Sequence, residues 1–409
     1  MRINLESVPA AIKDLVARIN AVGGRGILVG GSVIDMLSHR SVKDWDIEVF
    51  GLDWALLELT FADLRPKTVG KAFGVMKLCV EGLDVDLNIP RVDNKVGVGH
   101  SDFECEFDPR MTIKEAARRR DFTINTLAVD LSTGEIEDHW GGLADLQAGV
   151  LRATDPELFV QDPLRALRAM QLLARKAEVV DPITMSLIRG MVDEFPHLAK
   201  ERVHEEWRKL LLKAPKPSVG LQFLIDSGWI RHFPELEILI GCGQSPVHHP
   251  EGDVWAHTCL TADAAAQVRH LVPERNGKVP VRESFMFGCL LHDLGKPETT
   301  ITPEMVANDE APKETLWQAY GHDLKGMDPA ESFLRRMTDS KRTIKLTREI
   351  VGQHMQPYNL FQGESKKAAY ARLARKMEEA GGDLHLIGRV CQCDCCATGK
   401  NWETRSLAS

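Results

Sequence analysis

Near residue 140 the hydrophobic period of the chain changes, and that change limits what it can fold into. Upstream, short apolar runs rich in β-branched residues (GILVGG, DWDIEVFG, VMKLCVEG and LDVDLNIP) are separated by glycine-containing turns and helical stretches. Downstream no strand is expected, because segments such as DPLRALRAMQLLARK and ERVHEEWRKLLLK repeat their apolar residues at helical spacing. The expected class is α+β: a small mixed α/β head over residues 1–139, an all-α neck and body over 140–245, and an all-α domain over 246–409. The second boundary is set at GCGQSPVHHPEGD (241–253), dense in Gly, Pro and His. With 409 residues, 44% of them apolar, there is material for more than one core.

No apolar run reaches the length of a membrane span, and the opening MRINLESVPAAIKDLVARI reads as an amphipathic helix with two acids rather than a secretory leader. The expectation is a cytoplasmic protein with no membrane partner; its oligomeric state, monomer or homodimer, is left open. Of nine cysteines, Cys391, Cys393, Cys395 and Cys396 crowd together, but their gaps do not match the paired spacing of structural zinc sites. They read as small hydrophobes in a buried helix, LHLIGRVCQCDCCATG. A formal charge of −8 excludes a protein that coats nucleic acid through its overall field. An RNA partner would need local patches. Candidates are Arg118, Arg119 and Arg120, then Arg165, Arg168, Arg175 and Lys176, then Lys200, Arg202, Arg208, Lys209 and Lys213. Such runs are ordinarily solvated helix faces.

The chemistry begins at LVGGSVIDML, where Gly30, Gly31 and Ser32 stand between an apolar strand and a helix. Bare backbone N–H groups at a helix N-terminus can approach a phosphate closely, although any tight turn also favours glycine. In KDWDIEVFG, Asp44 and Asp46 lie two apart on a strand and so share a face. Paired carboxylates on an apolar strand repel each other unless a cation lies between them; the bland alternative is two solvated acids on an edge. LDVDLNIP repeats the spacing with Asp84 and Asp86. Three carboxylates from two neighbouring strands are what a two-Mg²⁺ site requires: one ion activates a 3′-hydroxyl, the other holds a triphosphate and its leaving pyrophosphate.

GGSVIDML followed by KDWDIEVFG closely resembles the nucleotide-binding motif of the DNA polymerase β superfamily, in the form used by class II CCA-adding enzymes and bacterial poly(A) polymerases. The resemblance continues through RVDNKVGVGH (91–100), RRRDFTINTLA (118–128), EDHWGGLADL (137–146), QDPLRALRAMQ (161–171) and ERVHEEWRKLL (201–211). It implies nucleotide addition to an RNA 3′ end, with the tRNA 3′ end, CTP and ATP as partners and Mg²⁺ as cofactor. Asp44 and Asp46 are then the metal ligands and Asp86 the third catalytic carboxylate, with Asp84 spare. Gly30, Gly31 and Ser32 hold the triphosphate, Arg120 and Asp121 contact the nucleotide, and Arg91, Asp93 and Lys95 belong to a flexible loop.

In the same family the Asp and Arg of QDPLR act as a protein template for the base, which assigns Asp162 and Arg165, with Arg168 beside them. A carboxylate accepts and a guanidinium donates, matching the amino group and ring nitrogen shared by cytosine and adenine. Guanine and uracil offer the reverse pattern, and each mispaired buried group costs roughly 1–3 kcal/mol. Three departures stand out: Ile34 where the family has arginine, Gln161 where it has glutamate, and Thr126 where it has alanine. The first removes a triphosphate contact, for which Lys43 is a candidate replacement.

A second constellation follows. His257, the adjacent His292 and Asp293, His322, His354 and Asp394 are ligand types suited to Mg²⁺, Mn²⁺, Ni²⁺, Fe or Zn²⁺. With the phrase LLHDLGK they resemble the HD phosphohydrolase superfamily, which some bacterial CCA-adding enzymes carry at the C-terminus. That implies a divalent metal and phosphatase or 2′,3′-cyclic phosphodiesterase activity on RNA ends. His248 and His249 read as loop residues. The competing readings are an A-adding enzyme or poly(A) polymerase, which share the head motifs, and an RNA-end-binding hydrolase with a degenerate head; the intact carboxylate set argues against the last.

Overall fold

The computed structural model describes residues 2–38, 40–42, 44–69, 74–95, 103–313, 316–363 and 366–399. The chain falls into two compact units, one of Met1–Arg165 with Lys176–His197, the other of Ala166–Arg175 with Leu198–Ser409. Among the described residues no helix is long and apolar enough to cross a membrane.

Before residue 140 the described residues of the first unit form nine strands: β1 (Arg25–Val29), β2 (Asp44–Phe50), β3 (Lys67–Val69), β4 (Val75–Val80), β5 (Leu83–Asn88), β6 (Arg91–Lys95), β7 (Phe103–Phe107), β8 (Ala128–Asp130) and β9 (Ile136–Glu137). Seven form one mixed sheet in the order β3-β4-β5-β2-β1-β8-β9, while β6 and β7 form a separate antiparallel pair. Strand alternation decides what each face of the sheet does. Trp45, Ile47 and Val49 of β2, Val85 and Leu87 of β5, and Met76 and Leu78 of β4 turn inward against Ile12, Leu15, Val16 and Ile19 of the helix Ala10–Ala21. Each such side chain contributes roughly 1.5–3 kcal/mol by leaving water. The intervening Asp44, Asp46 and Glu48, and Asp84 and Asp86, must therefore project from the opposite face.

The strands expected in the head are present, and the α+β class is that of the molecule. One expectation about the remainder is corrected: beyond residue 140, Val150–Leu151 and Val179–Val180 pair in parallel. Two-residue ladders are too short to leave a periodic signal. This one is set by the carbonyl of Gly149, which accepts from the N–H groups of Glu178 and Val179.

The second unit is helical. Val281–Leu291 is buried nearly all round, which makes it the central helix. It packs with Val254–Val268, Lys341–Gln353 and Leu384–Ala397. Elsewhere Trp207 sits edge-on to Phe233 and Phe333, with centroids at 4.9 and 5.3 Å. The crowded cysteines lie in the helix Leu384–Ala397, with Cys393 buried, and no cysteine joins a potential metal cluster among the described residues.

Candidate active sites

In the head, β2 and β5 run parallel in the register Asp44↔Asp84 and Asp46↔Asp86. Asp46 is the crowded member. Burial first, then the Asp86 and Asp44 carboxylates, raise its pKa to about 6, against the opposing charges of Arg120 and Lys77. Lys77 faces Asp86 across the β4–β5 ladder, and its Nζ lies 2.9 and 3.1 Å from the two carboxylate oxygens. The glycine turn closes the same corner. Gly30 has φ +70 with ψ −139, a conformation essentially reserved for glycine, and a Cβ there would come within 3.9 Å of Asp46 Oδ2. Ser32 is buried and donates its hydroxyl to the Val29 carbonyl at 2.8 Å, so that side chain fastens the turn. Ile34 is buried, which makes that departure a core residue.

The RRR run is tied to the same strand. The helix Ile113–Arg118 starts at a Thr112/Glu115 capping box and delivers Arg119 and Arg120 onto Glu48, at 3.3 and 2.8 Å. Glu48 is only 3% exposed, and a buried carboxylate needs such partners. Arg120 also donates to the Asn125 carbonyl at 2.9 Å, while buried Asp121 accepts from the Phe122 N–H and the Asn125 amide. Asp162 accepts from the Leu164 N–H at 3.2 Å. Arg165, one turn on, donates to the carbonyls of Leu158 (2.9 Å) and Arg119 (2.6 Å) and lies over the Phe159 ring. Glu48, Arg119 and Arg165 thus form one chain of contacts from the carboxylate strand to the residue expected to read the base. Arg168 belongs to the second unit, where it faces Glu206 at 4.0 Å. Arg91 opens β6; Asp93 and Lys95 lie within it, opposite Cys105 and Phe103, so the expected loop begins as a strand. Lys43 lies outside the described residues.

Two residues of this corner escaped sequence reasoning. Glu48 continues the two-residue alternation of Asp44 and Asp46 and was findable on that ground. Lys77 becomes visible only once the β4–β5 register is known.

The basic runs are mostly spoken for. Arg118 pairs with Asp155, Lys176 with Asp35, Lys200 with Asp339, Arg208 with Glu283 and Glu205, and Lys209 with Glu206.

The second unit gathers all six residues of the C-terminal constellation. His257 comes from the helix Val254–Val268, His292 and Asp293 from the end of Val281–Leu291, His322 from the start of His322–Lys325, His354 from the end of Lys341–Gln353 and Asp394 from Leu384–Ala397. The Nε2 atoms of His257 and His292 are 3.3 Å apart, and those of His322 and His354 are 3.2 Å apart. Asp293 lies between the pairs: Oδ2 is 3.3 Å from His292 Nε2 and 3.7 Å from that of His257, and Oδ1 is 3.4 Å from His322 Nε2 and 4.0 Å from that of His354. Asp394 Oδ1 is 2.9 Å from His257 Nε2. The six expected ligands therefore split into two groups, His257, His292 and Asp394, and Asp293, His322 and His354, and a third possible group, His249, Glu251 and His257, adjoins the first.

Three histidines are locked in one tautomer. The Nδ1–H groups of His292, His322 and His354 donate to the carbonyls of Cys289, Ala319 and Val351, each three residues earlier, at 2.7–2.9 Å. A carbonyl can only accept, so each neutral ring turns the Nε2 lone pair inward. Lone pairs 3.2 Å apart repel unless a proton or a cation lies between them. Burial, followed by the charges of His292 and His322, presses the His354 pKa down to about 3, which disfavours a proton there. This donor set fits divalent metal. Lys296 Nζ is 2.8 Å from Asp293 Oδ2 but outside hydrogen-bonding geometry, so that oxygen keeps its capacity to coordinate.

Residues 27–152 match the family described as Poly A polymerase head domain, and residues 179–239 that described as Probable RNA and SrmB-binding site of polymerase A. The Multifunctional CCA protein of Xanthomonas campestris pv. campestris (strain B100) is 34% identical over 339 residues, covering 81% of this chain and 75% of the relative. That of Azoarcus sp. (strain BH72) is 35% identical over 317 residues, 76% of this chain and 69% of the relative. The fold is like that of a CCA-adding enzyme in apo form II (TM-score 0.60, 19% identity, 99% of this chain and 86% of that one). It is also like that of a Thermotoga maritima CCA-adding enzyme complexed with tRNA (TM-score 0.57, 20% identity, 97% and 81%). With a third of its residues shared along most of both chains, this protein belongs to the family of the multifunctional CCA proteins.

Proposed function

We propose that this chain adds C, C and A in turn to the 3′ end of tRNA, using CTP and ATP, by metal-assisted phosphoryl transfer in its head. The observation that carries the reading is the parallel register of β2 and β5, which gathers Asp44, Asp46 and Asp86 on one face beside the Gly30 turn. Relatives of the same fold have been solved as complexes with ATP and with CTP. Asp44 and Asp46, with Asp86 as the third catalytic carboxylate, would hold Mg²⁺, which when bound supplies neutralising charge to the triphosphate and acidifies the attacking 3′-hydroxyl. The residues of the chain do the positioning. Gly30 and Gly31 let the triphosphate approach the backbone, Arg120 and Asp121 orient the nucleotide, and Arg91, Asp93 and Lys95 form the segment that closes on it. Asp162 and Arg165 read the base; with Arg165 fixed by two backbone carbonyls, the donors it presents are pre-aimed. Arg168 is read with them as a nucleotide-binding residue.

The C-terminal centre, in this reading, holds divalent metal on His257, His292, Asp293, His322, His354 and Asp394 and hydrolyses phosphoesters at RNA ends, as a phosphatase or 2′,3′-cyclic phosphodiesterase. Metal bound there would polarise the phosphate and activate water. Asp293 faces both histidine pairs and Lys296 offsets its charge. The labour divides as residues 1–139 for transfer, 140–245 for base and RNA binding and 246–409 for hydrolysis. Substrate supply places the work in the cytoplasm, where tRNA and both nucleotides are.

The test is incubation with tRNA lacking its terminal CCA and each labelled nucleotide in turn. Three residues added in the order C, C, A support the proposal; a single A from ATP, or a long A tract, overturns it in favour of an A-adding enzyme or a poly(A) polymerase.

A further inference from the structure

His257 differs from the other three histidines of the C-terminal centre. His292 and His354 fasten Nδ1 to a carbonyl in the last turn of the helix they follow, and His322 fastens its own to the Ala319 carbonyl in the turn just before its helix, so all three anchors are backbone. His257 lies inside a helix, where the corresponding carbonyls are taken by the helix itself. Its Nδ1 instead meets a side chain, Glu251 Oε1, at 2.7 Å. His257 is fully buried and its ring stands at 84° to that of His249, which contacts the same Glu251 oxygen through Nδ1 at 2.9 Å. Both contacts are made by that one oxygen; the other Glu251 oxygen is buried without a hydrogen-bond partner.

Glu251 belongs to the stretch 241–253, whose composition reads as a linker. The stretch is built against the centre at a second point as well. Gln244 accepts from Lys296 Nζ at 3.0 Å, and Lys296 lies against Asp293; the Gln244 amide in turn donates to the carbonyls of Gly252 and Asp253. Asp253 closes the arrangement by capping the helix that carries His257 and accepting from the Gly241 N–H.

We propose that Glu251 is the positioning residue of the C-terminal metal centre: its carboxylate takes the Nδ1–H of His257, fixing the tautomer and ring orientation that aim Nε2 at the metal, with His249 bracing it from behind. This rests on the reading of that centre as a metal site. A carboxylate behind a metal-bound imidazole raises its basicity, and removing such a partner costs about 10- to 100-fold in metal affinity. The segment 241–253 is thereby a working wall of the centre.

Metal-stripped full-length protein carrying Asp44→Ala and Asp46→Ala, so that head-bound ions do not interfere, is titrated with Mn²⁺ by electron paramagnetic resonance and calorimetry. Glu251→Ala is expected to weaken Mn²⁺ binding about 10- to 100-fold. Glu251→Gln keeps an acceptor oxygen and the side-chain shape; it should fall between wild type and Ala, and it decides the matter if Ala does not fold. His249→Ala should weaken binding less than Glu251→Ala. Wild-type affinity in Glu251→Gln and Glu251→Ala, with only the melting temperature lowered, would reduce Glu251 to a structural residue and overturn the proposal. Loss of one whole equivalent of Mn²⁺ in Glu251→Gln, the rest binding at wild-type affinity, would make Glu251 a ligand and overturn it too. No Mn²⁺ uptake with Glu251 intact removes the metal centre itself, and this role with it.

Discussion

The head and the C-terminal centre solve the same problem, holding ligand atoms where they would otherwise repel, by opposite means. In the head, three acids sit on two adjacent strands, and the sheet's repeat alone brings them together. Carboxylates crowd there, with Lys77 pressed onto Asp86 and Arg120 opposing the charge at Asp46. In the C-terminal centre, candidate ligands from five helices spread over residues 257–394 converge, and each ring is aimed by a hydrogen bond behind it. A strand pair makes a metal site by geometry and tolerates repulsion. A helical bundle would make one by orienting ring nitrogens around two carboxylates, and it needs an anchor for each ring.

Four experiments press on that contrast. The largest effect is expected from Asp44→Ala or Asp46→Ala, which should lower nucleotide addition by at least about a thousandfold, since several kcal/mol of charge stabilisation are lost, while metal uptake at the C-terminal centre stays as it was. Addition at near wild-type rate in either variant would sink the carboxylate assignment.

Next comes His292→Ala or Asp293→Ala. Hydrolysis of 2′,3′-cyclic phosphate ends should drop by roughly a hundredfold or more, with CCA addition retained. Parallel loss of both activities in a correctly folded variant would mean that the two centres are not separable.

Base selection is the finer probe. Asp162→Ala should relax discrimination against UTP and GTP by about 5- to 150-fold, the equivalent of 1–3 kcal/mol, because the acceptor that opposes their carbonyls is gone. Arg165→Ala should chiefly depress CTP and ATP use, and should also lower the melting temperature, since two backbone carbonyls lose a donor. Relative kcat/KM for the four nucleotides decides it; unchanged preference for C and A over U and G in both variants would move selection elsewhere.

The smallest effect is on pH. With the Asp46 pKa raised to about 6, Mg²⁺ binding to the head should weaken as the pH falls below that value, approaching a tenfold loss per unit, because the ion must displace a proton. In metal-free protein the sign for stability is the reverse. A carboxyl whose folded pKa lies above its unfolded value stabilises the fold fully below the unfolded pKa, and that contribution is lost as the pH rises through about 6. Asp46→Asn should therefore raise the metal-free melting temperature at pH 7 although it abolishes addition. A lowered melting temperature would show that Asp46 is not under repulsion.

What could be read in advance follows the same divide. Strand alternation made Asp44, Asp46 and Asp86 visible, and motif order made the six candidate ligands of the C-terminal centre visible. Lys77 was not, because cross-strand partners depend on register. Glu251 was hidden by composition: Gly, Pro and His are also what a chain needs to bend tightly around buried side chains, so HHPEGD looks the same as a linker or as a wall. The pairing of Val150–Leu151 with Val179–Val180 was too short for any period to reveal.

The basic runs invite a count of phosphate contacts, yet Arg118, Arg119, Arg120, Lys176, Lys200, Arg208 and Lys209 each already hold a carboxylate. A cation that must leave an internal partner to meet a phosphate gains little net charge neutralisation, and few condensed ions are set free from the RNA by it. The affinity of this chain for tRNA should accordingly depend on ionic strength far less steeply than its arginines and lysines suggest, leaving recognition to rest on shape and on the few atoms at the 3′ terminus.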